Sequence, residues 1–210
     1  MVEIYTNLHS QTQCLTLVLG GSFDPVHLGH IACARSAAEQ IGAKRVLLIP
    51  AWRSPFKTAP GRASALDRLA MCRLAVQGEA MFDVSEIELE RGLVSPDSPS
   101  YTVDTAQQLA ESGDIAWLIG TDHLPKLAQW HRFEELKKLV RLVVMRRAGE
   151  TIDRDLLPQS VREIASDVID VPSMAISSTD IREQISTGRS ITGMVHPDVE
   201  KFIIDQGLYR

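Results

Sequence analysis

Two imidazoles three residues apart, His27 and His30, follow closely on a Gly20-Gly21 pair in the stretch LVLGGSFDPVHLGH. A glycine turn between an apolar run and a helix-compatible run points main-chain N–H groups, and the positive end of a helix dipole, into the turn. The natural occupant is an anion, most often phosphate. The spacing puts both imidazoles on one face of the helix as donors beside that anion. Gly29 between them removes a side chain where a flat ligand could approach closely. Asp24-Pro25 reads as the helix cap and first helical residue. For Gly-Gly alone, a plain turn with surface histidines is the better reading; HxGH directly behind it argues for ligand contact. A second anion site is indicated near the other end. There Ser177, Ser178 and Thr179 precede Asp180-Ile181-Arg182 at a helix start, where hydroxyls and unpaired N–H groups converge and a cation lies one turn in. Taken by itself, that segment is better explained as an ordinary Ser/Thr cap with an exposed arginine.

The two segments together carry a resemblance. GGSFDPVHLGH is similar to the signature of the nucleotidyltransferase superfamily that bears HxGH, and ISSTDIR (residues 176–182) to its second signature, ISSTxIR. Within that superfamily the chain most resembles bacterial nicotinate-nucleotide adenylyltransferases, from Leu15 onward. The resemblance implies adenylyl transfer: the 5′-phosphate of nicotinate mononucleotide attacks the α-phosphorus of ATP, pyrophosphate leaves, and deamido-NAD forms. It implies catalytic roles for His27, His30 and Arg182. ATP would be met by the N–H groups of Gly20, Gly21, Ser22 and Phe23, by Ser177, Thr179 and Arg182 on its phosphates, and by Gly120 and Asp122 near its ribose. The mononucleotide would be met by Lys57 at its phosphate, Tyr101 and Thr102 beside its ring, Trp130 as a stacking platform and the His131 backbone. Mg²⁺ would bridge the phosphates, held by them and by water, with no metal site of protein ligands. Two turns depart from the family pattern. Ser54-Pro55-Phe56-Lys57 stands where a PPHK-like stretch is usual, and Arg146-Arg147-Ala148-Gly149 stands for RRPG. Plainer readings exist for single residues: Trp130 as core, Asp122 as a dipole-favoured helix start, Ser100 and Thr102 as caps.

These groups need a frame, and the apolar pattern supplies it. Leu15–Leu19, Arg45–Pro50, Ile115–Ile119, Leu139–Met145 and Val168–Val171 are short runs bounded by turn signals and read as buried strands. Met81–Leu89 alternates in places and reads as a further strand. Between them lie helical segments: from about Pro25 to Ile41, with Gly42 ending it; Ser64–Gln77, with Leu66, Leu69, Ala70, Leu74 and Val76 on its apolar side; Ser100 to Leu109; one from near Phe133; and a last from Pro197 to Gln206. Strands alternating with helices predict an α/β fold, a Rossmann-like open parallel sheet with helices on both faces. Loops after such strands lie at the ligand-binding edge, which places Arg53, Lys57 and Arg62 there, with a solvated charged loop as the even alternative for Arg53 and Arg62. Residues 1–14 read as a short N-terminal extension and 15–210 as one domain.

A formal net charge of -5 argues against a nucleic-acid coat or an anionic membrane surface. No apolar run approaches the roughly 20 residues of a membrane span, and the first fourteen residues lack an apolar signal core. Cys14, Cys33 and Cys72 are odd in number and far apart, which fits free thiols in a reducing cytoplasm. The expected partners are ATP and nicotinate mononucleotide, with self-association into a homo-oligomer left open. Two rivals stay open at this point: another superfamily transferase acting on pantetheine phosphate or a cytidylyl group, and a nucleotide sensor without turnover. The SYT and GxD…WH segments favour the pyridine substrate, and two intact signatures favour an enzyme.

Overall fold

In a computed structural model, which describes residues 14–55, 62–111 and 113–210, six parallel strands form one sheet. The chain opens with β1 (Thr16–Gly21), α1 (Leu28–Ile41) and β2 (Arg45–Pro50), followed by α2 (Ala65–Ala75), β3 (Phe82–Val84), α3 (Ile87–Val94) and α4 (Thr102–Ala110). It continues with β4 (Ile115–Gly120), a 3₁₀ stretch (Thr121–Gln129), α5 (Phe133–Leu139) and β5 (Arg141–Arg147). After α6 (Gln159–Arg162) come β6 (Val168–Val171), α7 (Ser178–Ser186) and α8 (Pro197–Asp205). The spatial order is β3-β2-β1-β4-β5-β6, so the chain reverses direction across the sheet between β1 and β4. That is the Rossmann-like open parallel sheet the alternation of strands and helices predicts.

The central strands are apolar without a break because both their faces are covered. Leu17 and Leu19 of β1 face one core with Ala34 and Ala38 of α1 and Ile203 of α8. Val18 between them faces the other core, with Val103 of α4, Phe133 of α5 and Val161 of α6. The period-two split of one strand between two cores requires helices on both sides.

Local expectations fail where a distant partner overrides the local pattern. The segment Met81–Leu89 is a strand only over Phe82–Val84; from Ile87 it is helix, burying Glu88, Leu89 and Gly92 at helical spacing. In α2, Leu66 is exposed and Arg68 buried, because the Arg68 guanidinium donates to the carbonyls of Ser22 (2.7 Å) and Trp52 (3.2 Å). Leu139 ends α5, and β5 starts two residues later than its apolar run suggests. Gly42 does end α1, in the left-handed conformation with φ 73° that suits glycine.

Candidate active site

β1 and β4 pair only as far as Val18 and Trp117, whereas β1 stays paired to β2 through Gly21, and β4 to β5 through Gly120. The two central strands therefore part at their carboxyl ends, at the reversal of strand order, where ligands of open α/β sheets bind. The opening is a cleft of about 390 Å³, within the range of small-molecule sites. Its floor is tight. A β-carbon on Gly20 would come within 3.1 Å of the Trp117 ring, so glycine is what admits the tryptophan beneath the turn. Gly20, Gly21, Ser22, Gly120, Thr102 and Trp130 all line the cleft, so residues from three separate sequence segments meet there.

Next to it lies a narrow recess lined by His27, Gly29, His30, Arg147 and Ile176, and sharing Leu19 and Met145 with the cleft. At about 20 Å³ it admits a water or a single oxygen, not a whole ligand. The two imidazoles are stacked, with centroids 3.6 Å apart and planes at 27°. Their arrangement differs from the expected one. Helix α1 begins at Leu28, so His27 is its N-cap and His30 the third helical residue. Asp24-Pro25 is not the cap, because the Asp24 carboxylate is committed elsewhere. It accepts from the N–H groups of Arg62 (2.9 Å) and Ala63 (3.1 Å) and from the Tyr209 hydroxyl (2.8 Å). Gly29 also has a different reason from the one expected: a β-carbon there would lie 3.0 Å from His27 Nδ1.

Nδ1 of His30 accepts the main-chain N–H of His27 at 3.2 Å. An accepting Nδ1 puts the ring proton on Nε2, which leaves His30 a fixed Nε2–H donor. His27 is buried, and its Nδ1 faces the His30 N–H in the capping box of α1 without a close hydrogen bond. Burial, reinforced by the Arg147 charge, pushes the His27 pKa down to about 4. Burial, then the neighbouring His27, then Arg147 hold His30 well below the ordinary range as well. Both rings are thus neutral near pH 7: they offer N–H groups without charge.

The turn before α1 is fixed from behind. The carbonyl of Ser22 takes Arg68 (2.7 Å), that of Asp24 takes Arg182 (2.7 Å), and that of Pro25 takes the Ser178 hydroxyl (2.8 Å). Phe23 adopts φ 46°, a left-handed conformation costly for a bulky residue. Its buried ring packs over Gly21 and meets His30 edge-on at 5.1 Å. The second signature is joined to the first by these bonds. Ser177 is an ordinary N-cap, accepting from Asp180 N at 3.1 Å, so the plainer reading describes its hydroxyl. Thr179 accepts from Arg182 at 3.1 Å.

Other expected residues lie apart from the lining. Tyr101 and His131 stack on each other at 4.2 Å and 27° and do not line the cleft. His131 precedes Arg132, the N-cap of α5, so its N–H is not in that helix's first turn. Tyr101 is the N-cap of α4, with no side-chain cap; the Ser100 hydroxyl instead accepts from Trp52 N at 3.1 Å. The Asp122 side chain is largely exposed, near His123. Lys57 lies outside the described residues. Sequence reasoning missed Trp117 and Glu88, and gave Arg147 no role beyond its place in the RRPG-like turn. Glu88 lines the cleft, accepts from Thr105 at 2.7 Å, and burial raises its pKa. A charged residue inside an amphipathic stretch and a tryptophan inside a strand facing glycines were the available signals.

The cytidylyltransferase-like family profile matches residues 18–184. A "Probable nicotinate-nucleotide adenylyltransferase" of Bordetella petrii is 40% identical over 202 residues, 92% of this chain and 97% of its own length. One of the same description from Roseiflexus castenholzii is 38% identical, covering 93% and 98%. Among solved structures, the Plasmodium falciparum nicotinic acid mononucleotide adenylyltransferase complexed with NaAD has a TM-score of 0.71 at 17% identity, over 93% of this chain and 97% of that one, a likeness of fold. With relatives this similar along nearly their whole length, the chain belongs to the cytidylyltransferase-like family and, within it, to the nicotinate-nucleotide adenylyltransferases.

Proposed function

We propose that the cleft joins ATP to nicotinate mononucleotide, releasing pyrophosphate and forming deamido-NAD. The observation that carries this reading is the meeting, at the parted ends of β1 and β4, of a glycine turn and, in the adjoining recess, two neutral imidazoles, with the arginine of the second helix start tied to the same turn through the Asp24 carbonyl. The attacking phosphate is already an oxyanion, so no protein nucleophile is required. Catalysis is then the positioning of two anions and the stabilisation of charge on the transferring phosphoryl. His30 Nε2–H and His27 donate to phosphate oxygens, the N–H groups of residues 20–23 cradle them, and Arg182 with Thr179 receives the β and γ phosphates. In this reading Gly120, in the cleft lining, and Asp122 serve the ATP ribose.

Trp130, half-buried in the cleft wall, stacks on the pyridine ring, and Tyr101, His131 and Lys57 stay mononucleotide-binding residues in this reading. Magnesium entering with ATP would be held by phosphate oxygens and water, adding positive charge where the reaction develops negative. Among the described residues there is no cluster of three or more His, Cys, Asp or Glu side chains to cage it. Among the same residues no helix is long and apolar enough to cross a membrane. The free thiols of Cys14, Cys33 and Cys72 suit a reducing cytoplasm, which is the location we propose.

Nicotinate and nicotinamide mononucleotides differ only in carboxylate against amide. Thr102 opens α4 in the cleft lining, where main-chain N–H groups have no helical acceptor. Such donors favour a carboxylate, since charge-assisted bonds are stronger and an amide would turn a donor toward a donor. Pyrophosphate release measured with both mononucleotides should favour nicotinate by at least about a hundredfold in kcat/KM. Comparable values would overturn the substrate assignment.

A further inference from the structure

The Arg146-Arg147-Ala148-Gly149 turn has no role in the reading above, yet Arg147 ends β5 directly in the histidine recess. Its side chain is 45% exposed and its ion pair with Glu150 is loose, at 3.5 Å. Pairs of that kind contribute little and are easily exchanged. Its main chain, by contrast, is fixed. One Glu150 oxygen accepts both the Arg147 N–H (3.0 Å) and the Thr121 hydroxyl (2.6 Å), which ties the end of β5 to the residue after Gly120. Arg146, one residue earlier, is spent on a two-bond pair with Asp170 at the outer part of the sheet.

Charge balance asks for a cation here. Triphosphate is multiply anionic, while the two imidazoles are neutral at pH 7. The Arg182 guanidinium, held by the neutral Asp24 carbonyl and Thr179 hydroxyl, brings one positive charge, which leaves most of the triphosphate charge unmatched. Resting on the adenylyl-transfer reading, we propose that the Arg147 guanidinium binds the phosphate oxygens of the nucleoside triphosphate beside His27 and His30, with Glu150 as its positioning residue.

The test compares R147Q, R147K and the control R146Q, by steady-state kinetics and by calorimetry with pyrophosphate alone. R147Q should lower kcat/KM for ATP by about a hundredfold, the scale of one lost electrostatic donor, and weaken pyrophosphate by about tenfold or more. R147K should recover part of both losses, keeping the charge but not the planar fork. KM for the mononucleotide should stay within about twofold, and R146Q should match the wild type. Near-wild-type pyrophosphate binding and ATP turnover in R147Q would overturn the proposal, as would equal losses for both substrates. A wild type that binds pyrophosphate through Arg147 but does not turn over ATP with the mononucleotide would support the proposal and remove the adenylyl-transfer reading.

Discussion

His30 is the residue whose chemistry is most tightly set by its surroundings. Its Nδ1 accepts from the His27 main chain, so only Nε2–H is left to meet a ligand. A donor fixed before the reaction needs no reorganisation as charge develops, which is where such groups act most strongly. His30→Ala should therefore lower kcat by about two to three powers of ten. A modest loss of stability, about 1 kcal/mol, should accompany it, since the ring stacks on His27 and its Nδ1 takes the His27 N–H at the start of α1. Turnover near the wild-type value would remove His30 from the mechanism. The pair His27 and His30 was legible in the sequence from type and spacing. Their stacking and neutrality were not: the first follows from His27 being the N-cap, and the second from burial by distant segments and from Arg147, which lies far along the chain.

At the scale of elements, the site depends on how the β1–α1 turn is held. Its carbonyls are bonded from behind to α2 and α7, and the Asp24 carboxylate ties it to residues 62–63 and to Tyr209. Tyr209 is buried, and its hydroxyl donates to Asp24 across 185 residues of sequence. Tyr209→Phe removes that donor and leaves the buried carboxylate with its two main-chain bonds. The loss should be about 1–3 kcal/mol of unfolding free energy, as for one hydrogen bond to a charged group. Because the Asp24 carbonyl orients Arg182, KM for ATP should rise as well. Urea unfolding at pH 7 checks the first part: unchanged stability would mean the tether carries no energy. The strands were legible because each is an apolar run between turn signals. The tether was not, because residue types along a sequence do not name partners so far apart. For the same reason Asp24 reads locally as a helix cap and Arg68 draws no notice, while each is buried against a carbonyl or N–H group of another segment.

The whole molecule places two neutral imidazoles at the junction of its two central strands, and this links its stability to pH. His27 has a folded pKa of about 4 against an ordinary value of 6.5. Between those values the unfolded chain binds the extra proton, so unfolding takes up a proton and is favoured as pH falls. The stabilisation is fully present above pH 6.5, is lost progressively toward pH 4, and does not change further below that. A gap of this size corresponds to on the order of 3 kcal/mol in total, of which about 2 kcal/mol should disappear between pH 7 and pH 5. His30 acts in the same direction. Glu88 opposes it: burial raises its pKa, so the folded state binds the extra proton and gains stability as pH falls through that group's range. The histidine contribution is isolated by comparing the wild type with His27→Gln at both pH values, since Glu88 is common to the two. The wild type should lose more unfolding free energy than the variant between pH 7 and pH 5, by about 2 kcal/mol. Equal losses in urea titrations would mean that His27 is not held neutral by its burial. The recess would then offer charged rather than uncharged N–H donors.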